Sequence, residues 1–175
     1  MKPNPTIPIF ITTLDLELPT RHLYDDIVRQ HKTTDYYRVG NNFPITGHDM
    51  VMKSLYSAFV LKAKKILGPF NFTERNIETC WAYVSNKEHH LKGIHNHVNT
   101  STVNGIYYLN VPKSNDERDG IISFFDDDNK ELFWYKPRNG DMIIIPNYLK
   151  HEPQYISTDE YRIAINMEIF CDYVW

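Results

Sequence analysis

Three histidines set the chemistry this 175-residue chain can do: His95 and His97, with Asn96 between them, and His151 further on. Side chains alternate along an extended strand, so positions 95 and 97 project to one face if they lie on a strand. Two imidazoles on one face can share a metal ion, and imidazole suits iron, zinc, copper and nickel. Facial non-haem iron sites take three protein ligands and keep positions open for co-substrate and oxygen. His151 is the natural third ligand. A lone H-x-H among the chain's 8 histidines is more often a surface pair than a metal site. The pattern gains weight from the chain around and beyond His151.

That stretch must position His151. Gly140 opens a short apolar run, Asp141-Met142-Ile143-Ile144-Ile145, which reads as a buried strand ended by Pro146. His151 follows just past the break. From 162 to 170 the residues alternate strictly. Ile163, Ile165, Met167 and Ile169 make one face, suited to a core; Arg162, Ala164, Asn166 and Glu168 make the other. A planar guanidinium at the head of that second face is a good partner for a carboxylate, which it grips bidentately. A solvated surface charge is the commoner fate of an arginine.

The remaining elements are helices first and strands after. Residues 20–31 read as a helix capped by Thr20, with Leu23, Ile27 and Val28 as its apolar stripe. Residues 49–67 give the clearest helix. Val51, Leu55, Ala58, Phe59, Lys62 and Ile66 are expected on one face, and Gly68-Pro69 stops it. Strands are expected at 7–12, 77–84, 103–110, 120–125, 131–135, 141–145 and 162–170. Asp126-Asp127-Asp128-Asn129 lacks the spacing and closing Glu of a calcium loop and reads as a hairpin turn. Tyr107 and Tyr108 share a strand, so only one can face a metal cavity. Among the other aromatics, Trp81 and Tyr83 are candidates for a substrate pocket.

These residues resemble the 2-oxoglutarate and Fe(II)-dependent dioxygenases, in particular the prolyl-hydroxylase-like branch, over about residues 77–170. The strand Ile106-Tyr107-Tyr108-Leu109-Asn110 is similar to the family strand that follows the metal-binding H-x-D. The Gly-strand-Pro-loop-His block, with H-x-H, is also similar to a smaller uncharacterised group of oxygenase-like proteins, several of them from phage genomes. The resemblance implies a mainly β fold with flanking helices, a double-stranded β-helix or cupin-like jelly roll. One domain is expected over 1–175, with the helices of 20–67 on a barrel of 77–170. It implies Fe(II) held by His95, His97 and His151, and 2-oxoglutarate as co-substrate. Tyr108 and Arg162 would hold the far carboxylate of 2-oxoglutarate, and Ile106 and Ile122 would line its pocket. The implied reaction hydroxylates a protein side chain or a small molecule and releases succinate and CO2.

The middle ligand of the ordinary triad in that family is Asp or Glu, and here it is His97. Three neutral imidazoles leave Fe(II) with two net positive charges where a carboxylate would leave one. The same histidines also resemble the cupins. Gly140, Pro146, Asn147, Tyr148 and His151 approach the second cupin motif, but no Glu follows His97 within the next five residues. A cupin-like metal-binding protein without 2-oxoglutarate turnover is therefore the alternative, and a zinc site that activates water is a third. Only the oxygenase gives Tyr108 and Arg162 work together.

Composition narrows the partners. A net charge of −3 and a pI near 6.2 provide no basic field for nucleic acid. Cys80 and Cys171 are the only cysteines, which favours thiols over a disulfide framework. Residues 1–5 carry no signal-peptide core, and no apolar run approaches a membrane span, so a cytoplasmic protein is expected.

Overall fold

The computed structural model describes residues 7–14, 16–33, 42–90 and 93–175. Residues 1–5 lie outside them. The elements run β1 (Phe10–Thr13), α1 (Thr20–Thr33), β2 (Asn42–Pro44), α2 (Asp49–Leu67), β3 (Cys80–Ser85), β4 (Val103–Asn110), β5 (Ile122–Phe125), β6 (Glu131–Tyr135), β7 (Asp141–Pro146), β8 (Lys150–Pro153) and β9 (Arg162–Ile169).

Two antiparallel sheets form a jelly roll. The larger has the order β1-β7-β4-β9-β3-β2 and the smaller β6-β5-β8. Period-2 alternation divides the core in two. On the outer face of the large sheet, Val103, Tyr107 and Leu109 of β4 join Ile163, Ile165, Met167 and Ile169 of β9. Leu23 and Ile27 of α1 and Leu55, Tyr56 and Phe59 of α2 pack on them. Between the sheets, Ile106 and Tyr108 of β4 meet Ile143 and Ile145 of β7, Ala164 of β9, and Ile122 and Phe124 of β5. Tyr107 and Tyr108 thus face opposite sides. Gly105 lets α2 settle on β4: a Cβ there would fall 2.5 Å from the Phe59 ring. The helices act as a backing that holds the large sheet while its inner face stays available for chemistry.

Several sequence expectations are corrected by the structure. Leu55 and Phe59 are buried on α2 as expected, but the stripe centres on Met52, Tyr56 and Ala63, with Val51 and Ile66 half-buried at the edge of the core and Ala58 and Lys62 also half-buried. Thr20 stands inside the first turn of α1, because the first helical bond runs from the Leu23 N–H to the Pro19 carbonyl at 2.9 Å. Ile77 is exposed and precedes β3 rather than opening it. Two short strands, β2 and β8, were not expected. The tetrad 126–129 is indeed the β5–β6 hairpin turn, with Asn129 at φ 62. Cys80 and Cys171 are both free thiols. Among the described residues, no helix is long and apolar enough to cross a membrane.

Candidate metal centre

His95 and His97 do not sit on a regular strand. His95 forms an isolated bridge with His151 of β8: the His95 N–H donates to the His151 carbonyl at 3.1 Å, and the His151 N–H donates to the His95 carbonyl at 2.9 Å. The His97 N–H donates to the Asn147 carbonyl at 2.7 Å, and a turn follows in which Ser101 N–H returns to the His97 carbonyl. The segment is still extended where it is paired, so both imidazoles keep the same side. What fixes them is the 147–151 segment, held in turn by β8 pairing with β5, where His151 lies opposite Phe124.

One ligand nitrogen from each of His95, His97 and His151 lies within 4.8 Å of the other two. His151 is buried and the other two are half-buried. The rings crowd together, with His95–His151 centroids at 4.4 Å and His97–His151 at 5.2 Å. Each Nδ1 bonds to an oxygen that can only accept. His95 Nδ1 donates to the Gly93 carbonyl at 2.8 Å, His151 Nδ1 to the Leu149 carbonyl at 3.0 Å, and His97 Nδ1 to Glu168 Oε1 at 2.6 Å. In the neutral imidazole this puts the lone pair on Nε2 of all three, the tautomer a metal needs. His97 Nε2 is buried and makes no hydrogen bond among the described residues. A buried orphan acceptor costs stability unless something fills its need. The donor set therefore fits a divalent transition metal.

The cavity beside the histidines lies on the inner face of the large sheet. Its walls include Trp81, Tyr83, Ile106, Tyr108, Ile122 and Arg162. The sequence candidates are thus brought to one cavity. Arg162 is 1% exposed. Its Nε donates to Ser85 Oγ at 3.2 Å and its Nη1 to the Gly120 carbonyl at 2.8 Å, while Nη2 is buried without a hydrogen bond among the described residues. Burial pulls the guanidinium below its ordinary value. His90 is pulled down to about 4, first by its own burial and then by the charge of Arg162. Burial pushes the Tyr108 phenol up, so it stays a donor. A buried cation with a spare N–H beside a phenol has the chemistry to receive an anion.

Some residues around the cavity were not anticipated. Asn166 lines the cavity and Glu168 the adjoining groove; both sit on the alternating face headed by Arg162, so their placement was readable. Ser85 faces Arg162 across the β3–β9 pairing. Asn42 enters the wall from the short strand β2, for which the sequence offers no periodic signal.

The profile of a family described as "Putative 2OG-Fe(II) oxygenase" matches residues 79–168, a stretch that contains the three histidines, Tyr108 and Arg162. The solved structures that share the fold include these three. A prolyl-4-hydroxylase from Pseudomonas putida aligns with TM-score 0.61 at 14% identity, over 94% of this chain and 93% of its own. A prolyl hydroxylase from Trichoplax adhaerens, in complex with a hypoxia inducible factor oxygen degradation domain peptide fragment, gives 0.60 at 15%, over 93% and 83%. HygX from Streptomyces hygroscopicus, with nickel and 2-oxoglutarate bound, gives 0.57 at 11%, over 93% and 81%. At such identities the likeness is one of fold. A search of curated proteins finds no match.

Proposed function

The chain belongs to the 2-oxoglutarate and Fe(II)-dependent oxygenase family, and from that premise we propose that it hydroxylates a protein side chain or a small molecule while turning 2-oxoglutarate into succinate and CO2. His95, His97 and His151 hold the iron in this reading, and the whole chain serves as one domain, its helices backing the barrel. The chemistry supplied at such a centre is oxygen activation coupled to oxidative decarboxylation, ending in oxidation of a C–H bond.

The protein's own residues bind, orient and exclude water. Arg162 Nη2 and the Tyr108 hydroxyl receive the far carboxylate of 2-oxoglutarate, which leaves its 2-oxo acid end towards the histidines. Ile106, Ile122 and Ala164 keep the space between them apolar. Water-poor surroundings strengthen each polar contact that remains. One observation carries the reading: two unmet polar demands, a lone pair on His97 and an N–H on Arg162, face a single cavity. A cupin-like metal protein or a zinc hydrolase leaves the second without use.

The prime substrate has a route. A groove of about 1030 Å³ runs past Asn42, Trp81, Thr100 and Glu168, and Asn42 and Trp81 also line the metal cavity. A groove of that size suits an extended substrate such as a peptide segment, whose reacting side chain would reach in beside Trp81.

The test is succinate formation with Fe(II), 2-oxoglutarate and oxygen, in the presence of a cell extract as a source of prime substrate, read by NMR. Wild-type protein should accumulate succinate and His151→Ala should not. Equal succinate from both would overturn the assignment.

A further inference from the structure

A three-histidine centre lacks the anionic ligand of the ordinary triad, and the fold places a carboxylate one imidazole away. We propose that Glu168 is the positioning residue of the metal centre: it fixes the tautomer of His97 and returns to the site the negative charge that a carboxylate ligand would bring. This rests on His97 being a ligand.

Glu168 Oε1 lies 2.6 Å from His97 Nδ1, and the two side chains are only 11% and 12% exposed. A carboxylate only accepts, so Nδ1 carries the proton and Nε2 turns its lone pair towards His95 and His151. The carboxylate is itself held. Thr100 Oγ1 donates to the same Oε1 at 2.7 Å, and Tyr56 Oη donates to the Glu168 backbone carbonyl at 3.0 Å. Tyr56 belongs to the buried face of α2, so the backing helix fixes the strand that carries the carboxylate. His95 and His151 give their Nδ1 protons to backbone carbonyls. His97 leans on a charged group, and it occupies the position where the family has Asp or Glu. Three neutral imidazoles leave two positive charges on a divalent metal; one adjacent carboxylate brings the cluster to one. Carboxylates behind ligating histidines raise ligand basicity, and losing one costs about 10–100-fold in metal affinity.

Glu168→Gln separates charge from shape, because its amide oxygen still accepts from Nδ1. Co(II) serves as a redox-stable probe, titrated against a chelator with its visible absorption followed. Glu168→Gln should bind Co(II) about 10–100-fold more weakly than wild type, with an altered ligand-field spectrum and an unchanged melting temperature of the metal-free protein. A merely structural contact would leave affinity and spectrum unmoved. His97→Ala is the control. If it too leaves Co(II) affinity untouched, the ligand set is wrong. If it weakens binding while Glu168→Gln does not, the ligand set stands and the role of Glu168 is overturned. The double variant adds a sharper test. In a His97→Asp background the negative charge already sits on the metal, so Glu168→Gln should cost little there, and an additive loss would contradict the proposal.

Discussion

Replacing Arg162 by methionine isolates the anchoring of the co-substrate. Methionine fills the volume of the stem and carries no charge. The guanidinium it removes is 1% exposed and already committed through Nε to Ser85 and through Nη1 to Gly120, with Nη2 left for an incoming anion. With the cation gone, the far carboxylate of 2-oxoglutarate would be buried opposite an apolar side chain. Breaking one side of a buried charge pair costs about 3–5 kcal/mol. At about 1.4 kcal/mol per factor of ten, affinity falls by about two to more than three orders of magnitude. The folded apo-protein should persist, because the cation being removed is itself costly to bury. The assay is calorimetric titration of 2-oxoglutarate into metal-loaded protein, with metal content measured on the same sample. Metal should be retained and the 2-oxoglutarate heat should vanish. An affinity within a few-fold of wild type would refute the anchor.

Tyr108→Phe loses one hydrogen bond and no charge, so 2-oxoglutarate should bind roughly tenfold more weakly or less; a loss as large as that of Arg162→Met in the same calorimetry would mean the phenol is more than a helper. His97→Asp restores the ordinary triad, so the variant should keep binding Fe(II) under anaerobic conditions while its rate of reaction with oxygen changes; loss of the metal would show that the cavity cannot accept a carboxylate there. His31 packs against Phe43, His89 and Tyr161, and burial pulls its imidazole from 6.5 down to about 4. The unfolded chain therefore binds the extra proton between those values, so stability is full above about pH 6.5 and declines as the pH falls towards 4, by up to about 3 kcal/mol. His31→Phe should flatten the urea midpoint against pH in that window, and an unchanged slope would place the acid sensitivity elsewhere.

Much of the site could be read from the chain because strand parity is a strong rule. Once β9 is read as alternating, Arg162 and Ala164 must share one face and Ile163 and Ile165 the other, and the structure sends them to the cavity and to the helices. The same parity sends Tyr107 and Tyr108 apart on β4. The C-terminal end of α2 was legible because Gly68, at φ 95, breaks the helix. Its buried stripe was less so, since apolar residues ring much of the helix and only the sheet decides which of them go under. The local setting of His95 and His97 was out of reach. Their extended form comes from pairing with 147–151, a long-range contact that no local pattern encodes. The strands β2 and β8 have 3 and 4 residues and no alternation of their own. Glu168 was visible as a polar residue on the cavity face. Its bond to His97 spans 71 positions and needs the β4–β9 pairing to bring it about.

The joint claim that three histidines hold iron and that 2-oxoglutarate chelates it beside Arg162 is tested most directly by one anaerobic spectrum. Fe(II) is added to the apo-protein, then 2-oxoglutarate, and the visible region is followed. The expected result is a charge-transfer band that saturates at one equivalent of 2-oxoglutarate, is absent in His151→Ala, and needs far more 2-oxoglutarate in Arg162→Met. A protein that takes up Fe(II) and shows no such band at saturating 2-oxoglutarate, or a band untouched by His151→Ala, would contradict it.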